Sequence, residues 1–163
     1  MKTVDSANIQ LEKSINDIFI EQLKLGNSIR VNIRGESMFP SVKKDDVVIV
    51  RPVRFEETRI GDIIAFKRNS TDSILTLHRI IKKRNESIVT KGDANRHGDF
   101  PVYFEDIYGK VAKIERKGKT VNLETGLHRL LSPLIAWFSW GLAAIKEVLV
   151  HPGLVIRKIF KNS

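Results

Sequence analysis

The chain has 163 residues, 42% of them hydrophobic and 29% charged, a balance that fits a folded domain and excludes a disordered chain. It contains no cysteine, which excludes a disulfide framework and a thiolate metal site. The net charge of +9 favours an anionic partner, either nucleic acid or a membrane surface, yet no helix-turn-helix, zinc finger or basic helix supports nucleic acid.

The first 28 residues hold no apolar core of the length a signal peptide or a spanning helix needs. Leu11, Ile15, Ile18, Phe19 and Leu23 recur at helical spacing with charged residues between them, which predicts one amphipathic helix. Asp5 or Ser6 is placed to cap it, and Gly26-Asn27 to end it. Its apolar stripe is expected to pack on the domain that follows. The alternative is a helix lying on a membrane or a partner.

Ile29-Arg30-Val31-Asn32-Ile33 alternates as a half-buried strand does. Gly35 permits backbone angles that other residues avoid, and Pro40 cannot continue a central strand. Ser37 therefore falls in a bend at a strand exit. That placement suits a nucleophile, and it also suits a turn serine bonding its own backbone. After a polar turn, Val47-Val48-Ile49-Val50 is a continuous apolar run of the kind buried on both faces. Asp62 to Phe66 predicts another strand, and Asn69 to Ser73 a loop. Next comes a strand in which Leu75, Leu77 and Arg79 share one face and Thr76, His78 and Ile80 the other. A lone histidine in a strand is ordinarily structural. Ser87 to Lys91 reads as a short strand ending at Gly92-Asp93. His97 is a competing imidazole, placed by its polar neighbours on the surface. Ile107 to Arg116 is a further strand, and Lys117-Gly118-Lys119 a hairpin turn into Thr120 to Leu123.

Five segments in this order carry a resemblance. They are Gly35-x-Ser37-Met38-x-Pro40, Gly61-Asp62-Ile63-Ile64-Ala65-Phe66, His78-Arg79-Ile80, Lys91-Gly92-Asp93-Ala94-Asn95 followed by Asp99, and Ile107-Tyr108-Gly109-Lys110-Val111. Together they resemble the signal peptidase I family of serine peptidases. Within it they resemble the endoplasmic-reticulum and archaeal type, whose base is histidine. The resemblance implies Ser37 as nucleophile, His78 as general base and Asp99 as triad acid. An imidazole of ordinary pKa, about 6.5, suits proton transfer near neutrality. Asp93 is the second carboxylate at hand. The expectation is that Asp99 orients the imidazole while Asp93 braces the turn, although order along the chain leaves both assignments open. The Ser37 backbone N–H is the first oxyanion donor. Lysine-base enzymes add a serine hydroxyl two residues before the nucleophile, where this chain has Gly35. Asp45 stands where the family has a turn glycine.

Leu130 to Ile145 contains no charged residue and carries Trp137 and Trp140. A spanning helix needs about 20 apolar residues, so this stretch is short. A second apolar run precedes Arg157, Lys158 and Lys161. The readings are a docked helix, a single span, or, as favoured here, an interfacial anchor with tryptophans at headgroup depth and basic residues on anionic lipid.

The expected fold is mainly β, a signal-peptidase/LexA-like domain over residues 28–123. An amphipathic helix over 1–27 precedes it, and a hydrophobic, basic-ended helical tail over 124–163 follows. The expected function is a serine endopeptidase that cuts a leader or signal peptide through Ser37, His78 and Asp99, with no metal or cofactor. Its expected partners are a precursor protein and a membrane surface, not nucleic acid. Without an N-terminal anchor, one expected placement is the cytoplasmic membrane surface. The alternatives are a self-cleaving LexA-type regulator, which would bring a helix-turn-helix and a lysine base, and a non-catalytic binding module.

Overall fold

The runs rich in valine and isoleucine become strands of one antiparallel sheet, where β-branched side chains pack well on a pleated surface. The computed structural model describes residues 2–68, 75–126, 128–136 and 138. Helix α1 (Lys2–Lys24) is followed by β1 (Ile29–Asn32), β2 (Val47–Arg51), β3 (Ile63–Phe66), β4 (Thr76–Lys83), β5 (Ser87–Lys91), β6 (Val102–Tyr103), β7 (Ile107–Arg116) and β8 (Lys119–Asn122). The strand order is β1-β2-β7-β3-β4-β5-β6, with β8 also on β7. Long β7 thus pairs with β2, β3 and β8. Register shifts at Ile49/Val50, Ala65/Phe66 and Ile80/Lys82 bend the strands and curl the sheet.

The curl creates two cores, and β3 divides them. Ile63 and Ala65 belong to the first, with Val48, Val50 and Val111. Ile64 and Phe66 belong to the second, with Ile80, Ile88 and Val102. β3 is therefore buried on both faces, whereas β2 is not. In β2 burial alternates, because Val48 and Val50 face the first core while Val47 and Ile49 point outward, half-buried. Asp45 has φ 68°, the left-handed backbone that a glycine adopts freely, and its N–H donates to the Ile33 carbonyl at 2.8 Å. Asp45 thus makes a turn in the backbone conformation usual for glycine. Lys117 and Gly118, both at positive φ, make the tight hairpin turn from β7 to β8.

Helix α1 begins at Lys2, ahead of both expected caps, so Asp5 and Ser6 lie inside it. Its end follows the expected chemistry. Gly26 has φ 90°, its N–H donates to Leu23, and the Asn27 N–H donates to Gln22. Among the described side chains of α1, those of the lower turns pack on the sheet. Ile20 and Leu23 are buried and Phe19 packs on the first core, while Leu11, Ile15 and Ile18 are exposed. Residues 128–136 form a second helix, α2. At Gly61, φ 97°, a Cβ would come within 2.5 Å of the Ser132 backbone, so glycine here lets α2 touch the turn before β3. Ala136 is buried, while Leu130, Leu134 and Phe138 are exposed. Trp137, Trp140, Arg157, Lys158 and Lys161 lie outside the described residues.

Candidate active site

The serine bend starts where β1 ends. The Ile33 N–H donates to the Asp46 carbonyl at 2.9 Å and fixes the strand exit. Arg116 holds the Asp46 carboxylate through Nε at 2.8 Å, and this pairing keeps the buried acid below its ordinary pKa. Beyond the exit, Met38 and Val42 plunge into the first core, and the Val42 N–H donates to the Met38 carbonyl. Ser37 is thereby held on a bend anchored from below. Its hydroxyl and N–H make no hydrogen bond among the described residues. Gly35 has no left-handed φ, and a Cβ there would meet nothing within 4 Å, so the expected special backbone is not found.

The Ser37 carbonyl accepts the Ala94 N–H at 2.9 Å. A Cβ at Gly92 would stand 2.6 Å from that carbonyl oxygen and 2.7 Å from the Asn95 amide. Close approach of two main chains therefore requires glycine at this point. The loop from Gly92 to Asn95 contacts the serine bend directly through backbone. Buried Lys91 stiffens it from below, donating to the Asn95 carbonyl at 2.8 Å, and burial lowers its pKa.

Strand β4 sends neighbouring residues to opposite tasks. His78, almost fully buried, has Nδ1 at 2.5 Å from Asp99 Oδ2. Thr90 donates its hydroxyl to the same oxygen at 2.7 Å, and the Asp99 N–H donates to the Thr90 carbonyl at 2.7 Å. Burial alone would raise the Asp99 carboxyl. The hydrogen bonds from His78 and Thr90, with the charges of His78 and Arg68, outweigh it and hold the group below the ordinary range. An ionised Asp99 accepts from Nδ1–H, which leaves Nε2 of a neutral ring as the nitrogen able to take a proton. Arg79, next in the strand, makes a two-point ion pair with Asp93 at 2.8 and 2.7 Å, and both side chains are buried. Arg79 also donates to the Gly61 carbonyl and the Ser41 hydroxyl.

The two carboxylates of the motif are thus separated. Asp99 meets the imidazole, and Asp93 meets a guanidinium that knits the turns around residues 41, 61 and 93. His97 is exposed on its loop. Ser37 and His78 line one cleft of about 590 Å³, together with apolar residues of β1, β4 and α1. Sequence reasoning passed over Thr90 and Arg68, whose Nη2 stands 4.0 Å from Asp99 Oδ1. Thr90 precedes a recognised motif by one residue, and Arg68 borders a loop, so neither carried a signal of its own. Among the described residues no three metal-ligating side chains cluster.

A part-buried carboxylate that orients an imidazole, beside a cleft that holds a serine hydroxyl with no hydrogen-bond partner among the described residues, has the parts for acyl transfer. No curated protein matches the chain. The profile of the Peptidase S24-like family matches residues 4–123, from the first helix to the end of the last strand. The chain therefore belongs to the Peptidase S24-like family, and its β-domain is that of a serine peptidase or a LexA-like self-cleaving protein.

Proposed function

We propose that the protein is a serine endopeptidase resembling the histidine-base signal peptidases, with Ser37 as nucleophile, His78 as general base and Asp99 as the group that orients His78. The observation that carries this reading is the part-buried Asp99–His78 hydrogen bond beside the cleft that Ser37 lines. His78 takes the Ser37 proton as the oxygen attacks a peptide carbonyl, then gives it to the leaving amine. Water hydrolyses the acyl-enzyme by the same route in reverse. The Ser37 N–H supplies an oxyanion donor. Asp93 supports the turn through Arg79. The substrate, a leader or signal peptide with small residues before the cut, comes from the motif resemblance.

Cleavage of a co-expressed leader peptide with small residues before the cut tests the reading. Ser37→Ala and His78→Ala should abolish it. If Ser37→Ala cuts as wild type does, the nucleophile lies elsewhere. If the wild-type fold binds such a leader and never cuts it, the protein is a binding module. The family match also favours self-cleavage of the LexA type. Incubating the purified chain at several concentrations separates the two, because cleavage within one molecule proceeds at a rate independent of concentration.

Membrane contact is part of the same proposal. Helix α2 leaves Leu130, Leu134 and Phe138 exposed at four-residue spacing, and the chain carries +9. No described helix is long and apolar enough to cross a membrane. Flotation of the full chain with anionic vesicles, and its absence with neutral ones, is the expected result.

A further inference from the structure

Helix α1 lies outside the segments that hold Ser37, His78 and Asp99, yet it forms one wall of the cleft that Ser37 and His78 line. Ile15, Asn16 and Phe19 line the cleft from the helix side. Ile15 and Phe19 are four residues apart and share a face. Val31, Ile33, Leu75 and Leu77 line the same cleft from β1 and the start of β4. The cleft is therefore mostly apolar between a helix and a sheet.

The wall is held in place from its lower end. Leu23 and Ile20 are buried, and Phe19 packs on the first core. Asp17 accepts from the Lys67 amine at 3.1 Å, which pins the helix to the end of β3. One turn above this anchorage Ile15 is 40% exposed, so it contributes little to the core and leaves apolar surface open to the cleft. The cationic side chains of the cleft lining are Arg34 and Arg68, with no carboxylate in the lining.

We infer that Ile15 and Phe19 are specificity-determining residues, which receive an apolar side chain of the substrate peptide flanking the scissile bond. A basic side chain at that place meets Arg34 and Arg68 and is disfavoured. The inference rests on the peptidase reading above, which it extends to a particular subsite. Phe19 also packs on the core, so Ile15 is the residue to test.

The experiment uses the full chain and three internally quenched peptides with one small-residue cleavage sequence. They carry leucines, serines or lysines in the four positions that precede this small-residue sequence. Ile15→Glu should raise KM for the leucine peptide about fivefold, with kcat unchanged, through loss of apolar contact. It should leave the serine peptide within about twofold and improve cleavage of the lysine peptide, which a merely structural residue would not do. Ile15→Met should behave as wild type. Equal KM values for the leucine peptide in Ile15→Glu and wild type overturn the inference. If wild type cuts none of the peptides and Ser37 resists labelling by a fluorophosphonate, the peptidase reading fails separately. The helix wall is then judged by anisotropy with the labelled leucine peptide. Weaker binding to Ile15→Glu than to wild type supports it, and equal or undetectable binding to both overturns it.

Discussion

Ala94 donates its backbone N–H to the Ser37 carbonyl at 2.9 Å, and so ties the bend that presents the hydroxyl to the loop between the two carboxylates. The contact is main chain to main chain, and Gly92 makes room for it. A methyl group at position 92 would push the two segments apart. Gly92→Ala should cost about 1–3 kcal/mol, the usual range for overpacking a tight contact. Peptide cleavage should fall further than that loss of stability explains, because the serine bend moves. Thermal melts and fluorophosphonate labelling of Ser37, done on the same preparation, check this. Labelling at the wild-type rate would show that the bend holds its position without the loop.

Asp99 and Asp93 should separate by readout. Asp99→Asn keeps the size of the side chain but no longer fixes the imidazole tautomer. Its melt should fall less than that of the Asp93 variant, while kcat falls by about 10²–10⁴, by analogy with the serine-protease template. Asp93→Asn leaves Arg79 buried without its counter-charge. Breaking a buried pair costs about 3–5 kcal/mol, so this variant should melt much earlier. Denaturant titration beside initial rates distinguishes them. The opposite pattern would exchange the roles of the two carboxylates.

Much of the sheet was legible because its strands obey a period of two and are separated by glycine, proline and charged turns. The chain order of Ser37, His78 and Asp99 was legible through motif resemblance. The partner of Asp93 was not. Arg79 lies beside His78 in the chain but on the other face of β4, and only the β4–β5 pairing brings it to Asp93. The apolar run of β2 misled for a related reason. Burial on two faces depends on what covers each face, and β2 has the first core on one side only. In α1 the periodicity marked the stripe correctly as apolar but could not say where it points. Phe19 and Leu23 meet the core, and Ile15 meets the cleft.

Acid should unfold the protein through a small set of carboxylates. The Arg116 hydrogen bond lowers Asp46 despite burial, and the Arg51 hydrogen bond lowers Glu124. Burial is the largest single effect on Asp99 and raises it, but the hydrogen bonds from His78 and Thr90, with the charges of His78 and Arg68, together outweigh it. Each folded-state pKa lies below the unfolded value of about 4, so each group stabilises the fold fully above that value. The contribution is lost as pH falls through the folded pKa. Arg116→Gln removes the main partner of Asp46. Its melting temperature should fall below wild type near neutral pH, and the gap should close as pH falls below the unfolded carboxylate value and the wild-type pair is itself lost. Calorimetry across that range checks the sign. A gap that stays constant with pH would mean that Arg116 acts through packing and not through Asp46.

Gly35 stands two residues ahead of Ser37, where the lysine-base enzymes carry a hydroxyl. Nothing in its surroundings demands glycine. Its φ is outside the left-handed region, and a Cβ would meet no atom within 4 Å. Gly35→Ala should therefore be neutral or stabilising by up to about 1 kcal/mol, since it restricts the unfolded chain more than the folded one. Gly35→Ser should be as stable and would place a hydroxyl beside the bend. If the Ser37 N–H and a second backbone donor already satisfy the oxyanion, the added hydroxyl should change kcat by less than about tenfold. A gain of about 10²–10³, the usual effect of one oxyanion donor, would show that the site lacks one. Steady-state rates on a single quenched leader peptide decide between these outcomes, and the melts of both variants show whether the bend tolerated the change.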